Sequence, residues 1–174
     1  MYKDELLGKI GVFMGGRAAE MVVCKRISSG ASDDIQRATN LAYKSIAELG
    51  FSANIGPMSI STLSTGGNED FLIGSDRASE SDVVVEKEVK HIMTTSLLVA
   101  CDVVRSNPEV MAELTKVLSE KEKVYGEELQ GYLDRVVAPP SLEMFLRGDA
   151  PPVTPADVEL MSHFPLPEVI NTTR

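Results

Sequence analysis

The stretch ESDVVVEKEVKHIMTTSLLVACDVVRSNP, residues 80–108, decides the fold. Val85, Val89, Ile92, Met93, Leu97, Ala100 and Val104 recur at steps of three and four, which predicts a helix over 80–106 with one apolar face. A helix of that length rises about 40 Å and must lay its stripe against other elements. Asn107-Pro108 marks both its stop and a restart, since asparagine caps well and proline fits the first helical position.

Downstream, a fourth helix is expected to carry Val110, Met111, Leu114, Val117 and Leu118. After the charged Glu120-Lys121-Glu122-Lys123, a short fifth helix is expected over 126–136 with Leu129 and Leu133 inward. Seven of the nine prolines (Pro139, Pro140, Pro151, Pro152, Pro155, Pro165 and Pro167) then fall within the last 36 residues. Residues 138–174 therefore read as a Pro-rich tail, largely extended or disordered, behind a domain of residues 1–137.

Upstream, Leu6, Leu7, Ile10, Phe13, Met14, Ala18, Met21 and Val22 predict a first helix from Asp4 to about Cys24. Its interior Gly15-Gly16 costs roughly 1 kcal/mol per glycine relative to alanine, which suggests the close approach of a neighbouring helix. A second helix is expected to begin at Ser32 as cap, with Asp33 and Asp34 at its positive end and Ile35, Ala38, Ala42, Ile46 and Leu49 inward, and to stop at Gly50. From Phe51 to Ser79 the period disappears, and Gly56-Pro57, Gly66-Gly67, Asn68 and Gly74 mark a long irregular connection, within which residues 57–61 suit a short strand. The expectation is an all-α, helical bundle-like domain of about five helices with a long irregular loop and a Pro-rich tail.

Composition narrows the function. Lys and Arg total 17 against 26 Asp and Glu, a net charge of −9, so no basic stripe is present to neutralise nucleic-acid phosphates. Cys24 and Cys101 lack CxxC or Cys/His spacing and read as small buried hydrophobes in a reducing compartment. The apolar runs at 83–85 and 97–101 fall far short of the ~20 residues a spanning helix requires, so no membrane contact is expected from this segment itself. No signal peptide is visible, because residues 1–5 lead straight into an amphipathic pattern.

Read alone, the residues carry no self-contained active site. His91 and His163 have no neighbours at metal-ligand spacing, and GxSxG, P-loop and HExxH patterns are absent. The helix dipole suffices to explain the adjacent acids Asp33 and Asp34, each worth about 0.3–1 kcal/mol in a first turn.

Gly15-Gly16-Arg17-Ala18-Ala19-Glu20, then Ser28-Ser29-Gly30-Ala31-Ser32-Asp33-Asp34-Ile35 with Ala38-Thr39 and Ala42, resemble the peptidase domain of the FtsH-type membrane-anchored AAA+ zinc metalloproteases, where GGRxAE precedes TTGASND. Gly50-Phe51-Ser52 with Ile55-Gly56-Pro57, and Leu118, Glu120, Lys121, Glu122 with Gly126-Glu127-Glu128-Leu129, extend the resemblance over residues 4 to about 135. It implies a zinc ion held by two histidines of an HExxH helix and by the last acid of the GASND motif, which is Asp34 here; Asp33 stands where the family commonly has asparagine. Tyr2-Lys3-Asp4-Glu5-Leu6-Leu7 looks like the family's entry to the helix that follows HExxH, so the catalytic glutamate and both histidines are expected upstream of this chain.

The resemblance further implies a fragment of an ATP-dependent protease that degrades membrane or misfolded proteins. Its ATP would bind in a separate ATPase module, and its subunits would form a homo- or hetero-hexameric ring. This segment would be a soluble part of a membrane-anchored parent, on a bacterial cytoplasmic face or inside a mitochondrion or chloroplast. Neither tight zinc nor peptidase activity is expected of the chain alone. Met21 at a commonly acidic position, Cys24-Lys25-Arg26 in place of F-G-E, and a divergent loop at 62–79 also admit an alternative: a non-catalytic assembly or chaperone-like module without peptidase activity.

Overall fold

The computed structural model describes residues 1–64 and 75–164. Among these residues all regular structure is helical: α1 (Lys3–Ala19) with a π turn (Glu20–Cys24), α2 (Ser32–Ala47), α3 (Ile60–Ser64), α4 (Ser75–Ser106), α5 (Pro108–Lys121), α6 (Gly126–Leu133), α7 (Pro140–Arg147) and α8 (Pro155–His163). The all-α expectation holds. Residues 57–61 form no strand; their last two residues open α3 instead. The Gly66-Gly67, Asn68 and Gly74 portion of the expected connection lies outside the described residues, as do the last ten residues of the expected tail.

The period seen in the sequence becomes the core because α1, α2 and α4 pack against one another. Leu6, Ile10, Met14, Ala18 and Met21 meet Ala38 and Ala42 of α2 and Leu97, Ala100, Cys101 and Val104 of α4. Ala38 and Ala42 are fully buried, and side chains this small let the helix backbones come close. A smaller cluster joins Ile46 and Ala47 to Ile60 and Val85, so α3 closes the far end of α2. Gly50 turns the chain out of α2 with φ +64°, and a Cβ there would stand 3.0 Å from the Pro57 Cα, so both the conformation and the space demand glycine.

Residues 138–164 depart from the expected tail. Pro140 and Pro155 occupy the first turns of α7 and α8, where a missing N–H costs nothing, so these prolines start helices. Phe145 packs with Leu7 and Val99, and Leu160 joins the main core. Asp157, buried, ties α8 to α4. One of its oxygens accepts from Arg105, and the other accepts from the Thr154 backbone at 2.9 Å and the Thr154 hydroxyl at 2.7 Å. Arg105 also reaches Asp102 at 2.6 Å.

The arm formed by α5 and α6 is different. No residue of either helix is buried; Leu133 is exposed rather than inward, and Leu118 is exposed as well. The arm leaves the core at Asn107 and returns to it at Val137. Asn107 does not cap α5 through its side chain. Its amide instead donates to the Val103 and Val137 carbonyls, each at 2.8 Å, and its oxygen accepts from the Val137 N–H at 2.7 Å.

Two smaller expectations are corrected. Nothing lies within 4 Å of a Cβ built on Gly15 or Gly16, so within the described residues no helix presses on them. Cys24 is exposed; only Cys101 is buried, and burial pushes its thiol up to about 12.

Candidate metal-ligand turn

Asp34 sits in the first turn of α2 and is half-buried, whereas Ser32 and Asp33 beside it are exposed. Ser32 is the first helical residue rather than the cap. Ala31 takes the cap position, and no side chain caps the helix. The turn is closed by backbone alone: the Ser32 N–H donates to the Ser29 carbonyl at 3.1 Å and the Ile35 N–H to the Ala31 carbonyl at 3.0 Å.

The preceding loop is exposed from Val23 to Gly30, so apolar burial does not fix it. Polar contacts to the end of α1 do. Arg17 Nη2 donates to the Ser28 carbonyl at 3.0 Å, and its Nη1 lies 3.2 Å from Glu20 Oε2. That oxygen accepts from the Ser28 N–H at 3.2 Å, and the other Glu20 oxygen accepts from the Ser28 hydroxyl. Ser28 Oγ in turn accepts from the Gly30 N–H at 3.1 Å. The hydroxyl and amide of Ser28, with the charge of Arg17 adding to them, hold the Glu20 carboxyl below its ordinary range.

The π turn places Glu20 at the start of this bracket and ends at Lys25, which takes a left-handed φ of 54°. That is a conformation glycine adopts without strain and a lysine does not. Arg17, Glu20 and Ser28 belong to the two quoted motifs, but spacing alone gave them no role. The signal was present in the order of the motifs, and the contact across the π turn supplies its meaning.

No hydrogen bond or ion pair among the described residues engages the Asp34 carboxylate. An anionic oxygen without a competing partner, on a helix end, fits one position of a zinc site. It fits only one, because the described residues contain no group of three or more His, Cys, Asp or Glu able to hold a metal. His91 lines a cavity of about 600 Å³ whose walls include Leu6, Ile46, Phe51 and Phe145 but not Asp34. His163, at the end of α8, pairs locally with Ser162 at 3.2 Å and the Glu159 carbonyl at 3.0 Å. Among the described residues no helix is long and apolar enough to cross a membrane.

Residues 1–131 match the family model described as peptidase family M41. The chain is 49% identical over 160 residues, 90% of its length, to the ATP-dependent zinc metalloprotease FTSH 7, chloroplastic, of Arabidopsis thaliana. It is 46% identical over 160 residues to FTSH 9, chloroplastic, of the same plant, again over 90% of its length. A bacterial relative, the ATP-dependent zinc metalloprotease FtsH 1 of Thermoanaerobacter sp. (strain X514), is 35% identical over 136 residues, 75% of the chain. The chain spans 20–22% of the length of these relatives, about a fifth.

Proposed function

Because the chain belongs to peptidase family M41, we propose that it is part of the proteolytic domain of a membrane-anchored, ATP-dependent zinc metalloprotease that degrades membrane or misfolded proteins. The observation that carries this reading is the unpartnered, half-buried carboxylate of Asp34 at the position of the family's metal-binding acid. Asp34 would hold zinc together with two histidines of an HExxH helix that lies outside this sequence. Bound zinc would supply an activated water for attack on a peptide carbonyl.

The chain's own residues present that carboxylate. The α1–α2–α4 core holds the helix, the Arg17–Glu20–Ser28 bracket holds the loop before it, and Asp33 stands exposed in the first turn, at the positive end of the helix dipole. ATP would act in a separate module. The subunits would assemble as a homo- or hetero-hexameric ring, to which the unburied helices of the arm would offer contact surface. The names of the plant relatives favour a chloroplast interior over a bacterial cytoplasmic face for this segment.

The test is cleavage of an unfolded casein-like protein by the longer polypeptide that contains this chain. Cleavage that needs ATP and stops with a zinc chelator is the expected result. Normal ATP hydrolysis with no cleavage would instead favour the non-catalytic assembly module.

A further inference from the structure

We propose that Arg17 and Glu20 are positioning residues for the Asp34 turn, an inference that rests on reading Asp34 as a zinc ligand. Two sets of polar contacts, joined through the backbone of residues 28–30, lead from them to that turn. Glu20 takes both the amide and the hydroxyl of Ser28, and Arg17 takes the Ser28 carbonyl. The Ser28 hydroxyl takes the Gly30 amide, and the Ser29 carbonyl closes the turn on Ser32, two residues before Asp34.

Apolar burial begins only at Ala31, and residues 23–30 before it are all exposed, so the loop itself is held by these polar contacts. The bracket itself is shielded: the side chains of Arg17 and Glu20 are only 15% and 23% accessible. Charge-assisted bonds of this kind are about twice as strong as neutral ones and fix direction as well as distance. Gly30 allows the close fit, because a Cβ there would lie 3.2 Å from Ser28 Oγ and 3.9 Å from Glu20 Oε1. A ligand gains its geometry from the groups that hold it; losing partners bonded directly to a ligand typically costs 10–100-fold in metal affinity, and a bracket acting through the preceding loop belongs at the lower end of that range.

The experiment uses the longer protein with Glu20→Gln, Ser28→Ala and Asp34→Asn, reading two quantities: amide exchange of residues 28–35 in the zinc-free protein, and the zinc dissociation constant. Glu20→Gln and Ser28→Ala are expected to speed exchange in that segment about tenfold while α4 amides stay protected. They are also expected to weaken zinc about tenfold. Asp34→Asn is expected to weaken zinc while leaving the exchange of the loop unchanged. If Asp34→Asn weakens zinc and neither bracket variant does, the positioning role fails alone. If no variant changes zinc affinity, the ligand reading fails and takes the positioning role with it. Loss of α4 protection in Glu20→Gln would signal a general folding defect, and an unchanged zinc constant in Ser28→Ala, which leaves Glu20 charged, would then overturn the proposal.

Discussion

The α1–α2–α4 core and the α5–α6 arm are both amphipathic, yet their fates differ. In the core, Leu6 and Ile10 are completely buried because two other helices of the same chain cover them. In the arm, Val110, Met111, Leu114 and Val117 keep the same spacing and remain only half-covered. The arm is joined by surface pairs, with Arg135 on Glu113 at 2.7 and 3.0 Å and Lys121 on Glu128 at 2.6 Å. Periodicity thus specifies a helix and a face, while the partner for that face is a separate matter. The core holds its own shape; the arm hangs from the hydrogen bonds of Asn107.

The widest gap between the regions is expected from core truncation. Ile10→Ala should cost about 2–5 kcal/mol in denaturant unfolding, through lost burial and the cavity left behind. A cost below about 1 kcal/mol would mean that the three-helix contact is not the stabilising core. Asn107→Ala should cost about 1–3 kcal/mol, since it strips the partners from both polar groups of Val137. Its signature is faster amide exchange throughout α5 and α6 with α1 unaffected; uniform loosening would erase the distinction between core and arm. Glu113→Ala, in an exposed pair, should leave the unfolding midpoint nearly unchanged. Lys25→Gly should act in the opposite direction, stabilising by about 1 kcal/mol through relief of the left-handed backbone.

Much of this was legible in advance. The steps of three and four gave α1, α2, α4, α5 and α6 nearly to their ends, because burial of one helix face imposes that period directly. Proline count misread residues 138–164, since a proline that starts a helix and one that prevents it look alike in composition. What distinguishes Pro155 is the Thr154–Asp157 capping box and the burial of Asp157 against Arg105, a contact from a helix some fifty residues earlier. The Gly15-Gly16 expectation failed for a related reason: the glycines leave a face open, and nothing local says what meets it. The role proposed for Asp34 comes only from motif order, because one carboxylate in a first turn serves a dipole as well as it would serve a metal. The bracket that presents it crosses a π turn, which no spacing rule foresees.

The pH dependence of that bracket has a fixed sign. Glu20 is depressed below its ordinary value of 4.5, so its contribution is complete above that value and is lost as pH falls through the lower folded one. Amides 28–30 should therefore begin to exchange faster below about pH 4.5, after correction for intrinsic rates.

The role of Asp34 itself is tested most directly by counting zinc. In the longer protein, metal content measured after dialysis against a weak chelator should fall sharply for Asp34→Asn, because a neutral amide oxygen replaces an anionic ligand poorly. The exposed neighbour provides the control: Asp33→Asn should retain zinc at the level of the unsubstituted protein. Equal zinc retention by the two variants would contradict the assignment of Asp34 as a ligand and leave both acids as charges on a helix end.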